Sequence, residues 1–418
     1  IEDPGTPSIG LVMLRAYEVT GDKLYLQGAQ EVKQALLWTQ LASGGWETLH
    51  DFAPAAARKR HYRRDLDAGD TERGPRHAHT TLDDDKTQFA LRFLLELAQL
   101  PESKNDAQLH AALKFGMDSL LAAQMPHGGW PQGFSGPADP AMPVKKPTLP
   151  QEWSRTWPEV NYTGYVTLND GNLFSIAKLL ARAHELTKDD RYLTALKKLG
   201  DFHLLAQCSE PQPGWAQQYN ANMEPTWARK FEPPSISGHE SLWALETLHE
   251  IWLVTGDDRY QAPYQSAVAW LERSKLPGNH HARFYELHTN KPLYFVKDTY
   301  ELTYDDSNLP THYGFKTNEL QEDIDKFKAL IALSREEQLS KRATPGTPRA
   351  WLSKAKGAAK KAVTALGDQN KEGVWTRENI IDGSIFVKNM HAMINYLEAA
   401  KKAEHEFDKF RAEAKQNP

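Results

Sequence analysis

Two acidic stretches stand at the mouths of helical patterns: Asp83-Asp84-Asp85 before the apolar run Phe89–Leu97, and Asn169-Asp170 before a second run. In the latter, Leu173, Phe174, Ile176, Ala177, Leu179, Leu180 and Ala183 recur at helical spacing, with Lys178, Arg182 and Glu185 largely on the other side, so Asn169-Asp170-Gly171 is a helix start. An Asp there can cap the first turn and complement the helix dipole and do nothing more. Carboxylates converging from neighbouring turns are also hard oxygen ligands that suit Ca²⁺ or Mg²⁺ better than zinc, which makes Asp170 and Asp83 candidate metal ligands. A third cluster, Glu224–Gly238, sets Arg229 and Lys230 beside a stiff Glu232-Pro233-Pro234-Ser235 stretch, and a fourth, His280–Asp298, adds Arg283, Lys291 and Lys297. Fixed cations suit recognition of an anion. With carboxylates for a divalent cation and aromatic residues between, the four clusters describe a cleft for an acidic polysaccharide, with Trp130, Gln132, Asn169, Lys230, Arg283 and Lys297 expected to contact it.

The frame that must position these groups is a repeat. Segments beginning at Thr20, Lys104, Thr187, Thr255 and, more diverged, Thr347 share a polar turn followed by an amphipathic helix. Each follows another helical pattern, at Ser8–Val19, Asp84–Ala98, Gly171–Leu186, Gly238–Val254 and Asn318–Ser334, and a last helix runs from about Ser384 into a charged tail. Such helical hairpins bury their apolar faces only by stacking on neighbours. Gln40…Gly44-Gly45-Trp46, Gln124…Gly128-Gly129-Trp130 and Gln369…Gly373-Val374-Trp375 fit Q-x-x-x-G-x-W where second helices end, and Gln207 with Gly214-Trp215 is a looser copy. Their glycines let the chain leave the helix through positive φ. Trp46 and Trp375 read as plugs of hairpin ends, whereas Trp130, followed by Pro131-Gln132, reads as a platform beside the cleft. Long insertions at His50–Thr80, Pro131–Leu168, Ser209–Ser237 and Pro277–Thr317 fall on that same face and read as function-bearing loops, with a short β element within His281–Thr303.

With 418 residues, 40% of them hydrophobic and 25% charged, the chain is long enough for one large repeat domain or two domains. The expected organisation is a mainly α, toroid-like array of helical hairpins, an incomplete α/α barrel with long loops and a small β element on one face. Residues 1–317 form the catalytic hairpin domain with its cleft-forming loops, and residues 318–418 add further helical repeats that complete or extend the array. No apolar stretch is long enough to cross a membrane. A net charge of −5 argues against a general nucleic-acid binder, despite the basic run Arg58–Arg64. The single Cys208 excludes an intramolecular disulfide. A monomer is expected.

Asp83 ahead of Thr87–Leu94, Gly128-Gly129-Trp130-Pro131-Gln132, Leu168-Asn169-Asp170-Gly171, Ala228–Ser235 and Ala282–Glu286 with Thr289-Asn290-Lys291-Pro292 resemble, in that order, landmarks of the pectate lyases of polysaccharide lyase family 10. The likeness covers about Ser8 to Phe315. It implies a helical toroid-like domain, Ca²⁺ at Asp170 with Asp83 nearby, β-elimination of polygalacturonate, Arg229 as the catalytic base, and a secreted or periplasmic enzyme. Lys230 beside Arg229 is expected to depress the guanidinium's pKa. Where family members carry an arginine-rich segment ending in Gly-Tyr, this chain reads Ser307–Gly314, and Lys297-Asp298 stands where they tend to have Arg-Asp. Two other readings are a relative that binds acidic polysaccharide without turning it over, and a terpene-cyclase-like toroid, in which Q-x-x-x-G-x-W repeats also occur. The second lacks its acid, since Leu82 precedes Asp83-Asp84-Asp85 where a D-x-D-D motif needs Asp.

Overall fold

The structure, a computed structural model, describes residues 1, 5–342 and 347–416. Its helices are α1 (Thr6–Thr20), α2 (Lys23–Thr39), the short α3 (Pro54–Ala57) and α4 (Arg63–Asp67) in the first long loop, α5 (Lys86–Leu97), α6 (Ala107–Ala122), α7 (Asn172–Thr187), α8 (Asp190–Ala206), α9 (Gly238–Thr255), α10 (Tyr264–Arg273), α11 (Glu319–Ile331), α12 (Arg335–Arg342), α13 (Pro348–Gly367) and α14 (Gly383–Gln416). The strands are short: β1 (Thr80–Thr81), β2 (Gly133–Phe134), β3 (Val166–Thr167), β4 (Gln218–Tyr219), β5 (Ser235–Ser237), β6 (His281–Ala282), β7 (Phe284–Glu286), β8 (Pro292–Phe295), β9 (Leu302–Thr303), β10 (Lys316–Thr317), β11 (Thr376–Arg377) and β12 (Ile380–Ile381).

The hairpins form as their turns dictate. Asp22, Asp106, Asp189 and Asp257 each accept a backbone N–H of the following turn, from Leu24, Leu109, Arg191 and Arg259. Each such cap contributes about 1 kcal/mol; the first three fix where α2, α6 and α8 begin, and Asp257 caps a single 3-10 turn ahead of α10. First helices line up side by side: α1 packs on α5, α5 on α7, α7 on α9 and α9 on α11, while α14 lies against the other side of α1. This is the expected mainly α toroid-like array. One core runs from Leu14 to Phe327, and a smaller one joins Val12 and Ala16 of α1 to Met390 and Ile394 of α14. Pairs such as Lys33–Asp106 at 2.6 Å and Arg182–Glu96 at 2.7 Å tie successive hairpins together.

The Q-x-x-x-G-x-W motifs are one structural device used repeatedly. Gln40 and Gln124 donate to Gly44 O and Gly128 O and across to the next hairpin at Ala112 O and Ala195 O. The indoles turn back on the helix they follow: Trp46 donates to Leu36 O, Trp130 to Leu120 O, Trp215 to His203 O and Trp375 to Ala365 O. Trp130 is 0% exposed. The expectation that it stacks on a sugar is therefore corrected, because an indole with both faces in the core and its N–H satisfied offers no surface to a ligand.

The same tryptophans set the short strands. The carbonyls of Trp46, Trp130 and Trp215 accept from Thr81, Thr167 and Ser237, the last residues of β1, β3 and β5. β1 then pairs antiparallel with β2 and β3 with β4, while β5 enters a four-stranded sheet ordered β5-β7-β8-β9. Three of its strands, β7, β8 and β9, make the β element expected within His281–Thr303, and β5 joins them from outside that stretch. In this way three strands deliver the N-terminal ends of α5, α7 and α9 to one face.

Candidate active site

Between β1 and α5, and again between β3 and α7, the chain makes one turn twice. Leu82 and Leu168 share φ −103°, and Asp84 (φ 47°) and Asp170 (φ 49°) both adopt left-handed backbone, as do Asp85 (φ 56°) and Gly171 (φ 71°) after them. Asp tolerates this conformation better than most residues, and here it turns the carboxylates of adjacent hairpins toward one another. Carboxylate oxygens of Asp83, Asp84 and Asp170 all lie within 4.8 Å of one another. Asp84 was not among the sequence-based candidate ligands, although the run Asp83-Asp84-Asp85 contains it.

The cluster is held from behind. Gln132 Nε2 donates to Asp83 Oδ1 at 2.9 Å, and Asn169 Nδ2 reaches both Asp83 Oδ1 at 3.3 Å and Asp170 Oδ2 at 2.5 Å. Arg283 Nη2 contacts Asp170 Oδ1 at 3.1 Å, Asn169 Oδ1 at 3.2 Å and Glu240 Oε1 at 2.7 Å. Lys86 Nζ sits 3.0 Å from Asp84 Oδ2 and 3.7 Å from Asp83 Oδ2. Gln132, Asn169 and Arg283 are all buried, so the structure gives them a positioning place behind the carboxylates.

Four carboxylates, Asp83, Asp84, Asp170 and Glu240, face two cations, Lys86 and Arg283, leaving the group short by the charge of one divalent ion. The electrostatics agree. Burial, then Asp84, pushes the Asp83 carboxyl above the usual carboxylate range against the pull of Lys86. Burial also lifts Asp170, with Arg283 opposing and Glu240 reinforcing. Gln132 Oε1, on the amide that holds Asp83, is buried with no hydrogen-bond partner among the described residues. An all-oxygen donor set crowded with uncompensated negative charge fits Ca²⁺, or Mg²⁺, and not a thiol- or imidazole-seeking metal.

Arg229 lies in a tight loop closed by Glu232 N to Arg229 O at 2.9 Å. Its Nε and Nη2 grip the two oxygens of Glu232 at 2.9 and 2.6 Å, and Glu232 is 1% exposed against 35% for the arginine side chain. Gln217 Nε2 at 2.6 Å and Tyr313 OH at 3.0 Å also donate to Glu232 Oε1. Gln217 stands two residues after Trp215 as Gln132 stands two after Trp130, so one motif position holds an acid in each hairpin. Tyr313 bridges the two halves of the site: its ring is 5.5 Å from the Arg229 guanidinium carbon and 4.4 Å from that of Arg283. Sequence reasoning missed Glu232 and Tyr313 as site residues. The signal for Glu232 was present in its three-residue spacing from Arg229.

Burial alone would lower the pKa of Arg229, but the bidentate bond to Glu232 outweighs it and holds the guanidinium above its ordinary value. The expected depression by Lys230 is thus corrected. Lys230 turns away, its Nζ 3.8 Å over the ring of Tyr300. Lys297 lies exposed in the turn after β8, outside both the carboxylate cluster and the Arg229 loop.

The family model described as pectic acid lyase matches residues 51–281, over half of the chain and including every one of these groups except Arg283, Lys297, Tyr300 and Tyr313. Among solved structures, the family 10 polysaccharide lyase from Cellvibrio cellulosa is similar in fold at TM-score 0.50 and 20% identity, covering 79% of this chain and 98% of that one. A point mutant of that lyase in complex with trigalacturonic acid aligns at TM-score 0.50 and 21% identity, covering 71% and 91%. No curated protein matches the chain. The chain belongs to the pectic acid lyase family and is a polysaccharide lyase.

Proposed function

We propose that the enzyme cleaves polygalacturonate by Ca²⁺-assisted β-elimination, with Asp83, Asp84 and Asp170 holding the ion and Arg229 meeting the proton that is removed. The observation that carries this reading is the joining of two acidic turns into one cluster, linked through Arg283 and Tyr313 to the loop that presents Arg229, half-exposed, on the buried Glu232. Bound there, Ca²⁺ supplies a Lewis acid that draws charge from a uronate carboxylate and acidifies the hydrogen on carbon 5. Elimination moves that proton to the base, forms the C4–C5 double bond and breaks the bond from C4 to the glycosidic oxygen, which takes up a proton as it leaves. Arg283 keeps Asp170 in place, and Gln132 and Asn169 keep Asp83. The trigalacturonic acid bound by the similar lyase supports the substrate class. The polymeric substrate favours action in the secreted or periplasmic space, and residues 318–418 serve as an extension of the same array.

The Glu232 bond shapes what Arg229 can do. At rest the guanidinium carries its proton, so Arg229 becomes a base only at alkaline pH and when substrate loosens the pair. The same bond favours a second reading, in which Arg229 stays protonated and stabilises the charge developing on the uronate. Arg229→Ala is expected to lower kcat by roughly 10³-fold, with the Kd for polygalacturonate changing only a few-fold, because both roles belong to the transition state. Glu232→Gln separates them: it shifts the pH–rate profile downward if Arg229 is the base and leaves its position unchanged if Arg229 is a fixed cation. The parent test is the release of ultraviolet-absorbing unsaturated ends from polygalacturonate, lost on chelation. Absence of that product with Ca²⁺ present overturns the reading.

A further inference from the structure

The 131–168 insertion is tied across the loop that carries Arg229. Trp157 Nε1 donates to Ala228 O at 2.8 Å and Trp227 Nε1 to Ser154 O at 2.8 Å, so each strand of this crossing holds the other by an indole. Arg155 on the insertion reaches the sheet, its Nη1 2.6 Å from Glu286 Oε1, and lies 4.1 Å over the ring of Trp153. Beneath this strap a cavity of 790 Å³ opens, walled by Arg155, Trp157, Trp227, Lys230, Tyr300 and Tyr304.

The lining is that of a sugar-acid site. Half-buried Trp157 and Tyr300 offer ring faces, and Lys230 has no carboxylate partner among the described residues, its ammonium held over Tyr300. Arg155 is paired with Glu286, yet its side chain is 53% exposed and keeps donors for a ligand. Glu301 supplies one opposing charge at the cavity wall. The volume is in the range of sites for small organic ligands. The cavity is also continuous with the chemistry: Lys230 follows Arg229, and the Phe231 ring touches Tyr300 of the cavity at 6.1 Å and Tyr313 of the site at 4.9 Å.

We infer that this strapped cavity is a distal subsite that binds a uronate unit of the substrate chain, through Arg155 and Lys230 on its carboxylate and the indole and phenol faces on its ring. This rests on the substrate class proposed above, so the test is a binding measurement that does not need turnover. In chelator, where elimination is not expected, calorimetry with hexagalacturonate compares the unmodified enzyme with Arg155→Ala and with Thr299→Glu, which sets a negative charge on the exposed cavity wall. Affinity is expected to fall five- to tenfold in each variant, and a neutral glucan hexamer is expected not to bind. Failure of the enzyme to make unsaturated products would refute the lyase reading and leave this result standing. Equal affinity in all three proteins, or no binding to the unmodified one, would overturn the subsite.

Discussion

The turn before α5 and the turn before α7 have nearly the same backbone and are differently loaded. Leu82-Asp83-Asp84-Asp85-Lys86 carries three acids and its own buried cation, whereas Leu168-Asn169-Asp170-Gly171-Asn172 carries one acid and borrows its cation, Arg283, from the stretch between β6 and β7. The corresponding place before α9 lacks the left-handed turn. There Ser237 runs straight into the helix and its hydroxyl donates to Glu240, which shares Arg283 Nη2 with Asp170. One hairpin frame thus offers the same position three times, and side-chain choice makes it an acidic cluster, a partner acid and a counter-charge in turn. A repeat fold gains a site at the seam between units, where no single unit could hold it.

If the two turns share one ion, neither can be disarmed without losing the whole. Asp170→Ala and Asp84→Ala should each lower turnover of polygalacturonate on the order of 10³-fold, since several kcal/mol of charge stabilisation disappears with the metal. Steady-state rates at saturating Ca²⁺ check this. A variant of Asp84 with near-normal rates would show the first turn to be scaffolding. The difference in cations should show in stability. Lys86→Met removes a buried ammonium from between Asp83 and Asp84, whose side chains are 25% and 41% exposed, so the metal-free protein should lose about 2 kcal/mol. Added Ca²⁺ should close most of that gap, which thermal unfolding with and without the ion will measure.

A second stability effect, confined to high pH, lies below the turns, where α7 and α9 pack. Burial, then Asp323, pushes the Glu246 carboxyl up to about 7 against the pull of Lys178. An acid whose pKa is raised on folding binds more protons in the folded state. Its contribution to stability is therefore full below the ordinary glutamate value and is lost as pH rises from about 4 to about 7. Glu246→Gln should match the parent at pH 4 and exceed it by on the order of 2 kcal/mol at pH 8, read from denaturant unfolding at the two pH values.

The hairpin frame was legible because its signals are local: the spacing of Leu173 to Ala183, the capping aspartates 22, 106, 189 and 257, and glycines where chains leave helices. Asp83 and Asp170 stood out as acids at helix starts. Asp84 did not separate from its neighbours, because which member of an acidic run points inward is set by the left-handed backbone at Asp84 and Asp85. Trp130 misled because its neighbours Pro131-Gln132 suggested a cleft. Its identical spacing to Trp46 and Trp375 pointed instead to a plug, and the contribution to the site comes from Gln132. Tyr313 and the placement of Lys230 were out of reach, since Tyr313 meets Glu232 across 81 positions of chain and Lys230 lies over the ring of Tyr300, 70 positions on.

The claim that the two turns make one metal site is tested most directly by Ca²⁺ titration calorimetry on the unmodified enzyme and on Asp84→Asn and Asp170→Asn, which keep side-chain shape and remove one charge each. One tight Ca²⁺ per chain is expected, with at least a tenfold loss of affinity in both variants. Unchanged affinity in either variant, or two independent ions of which each variant loses one, would contradict it.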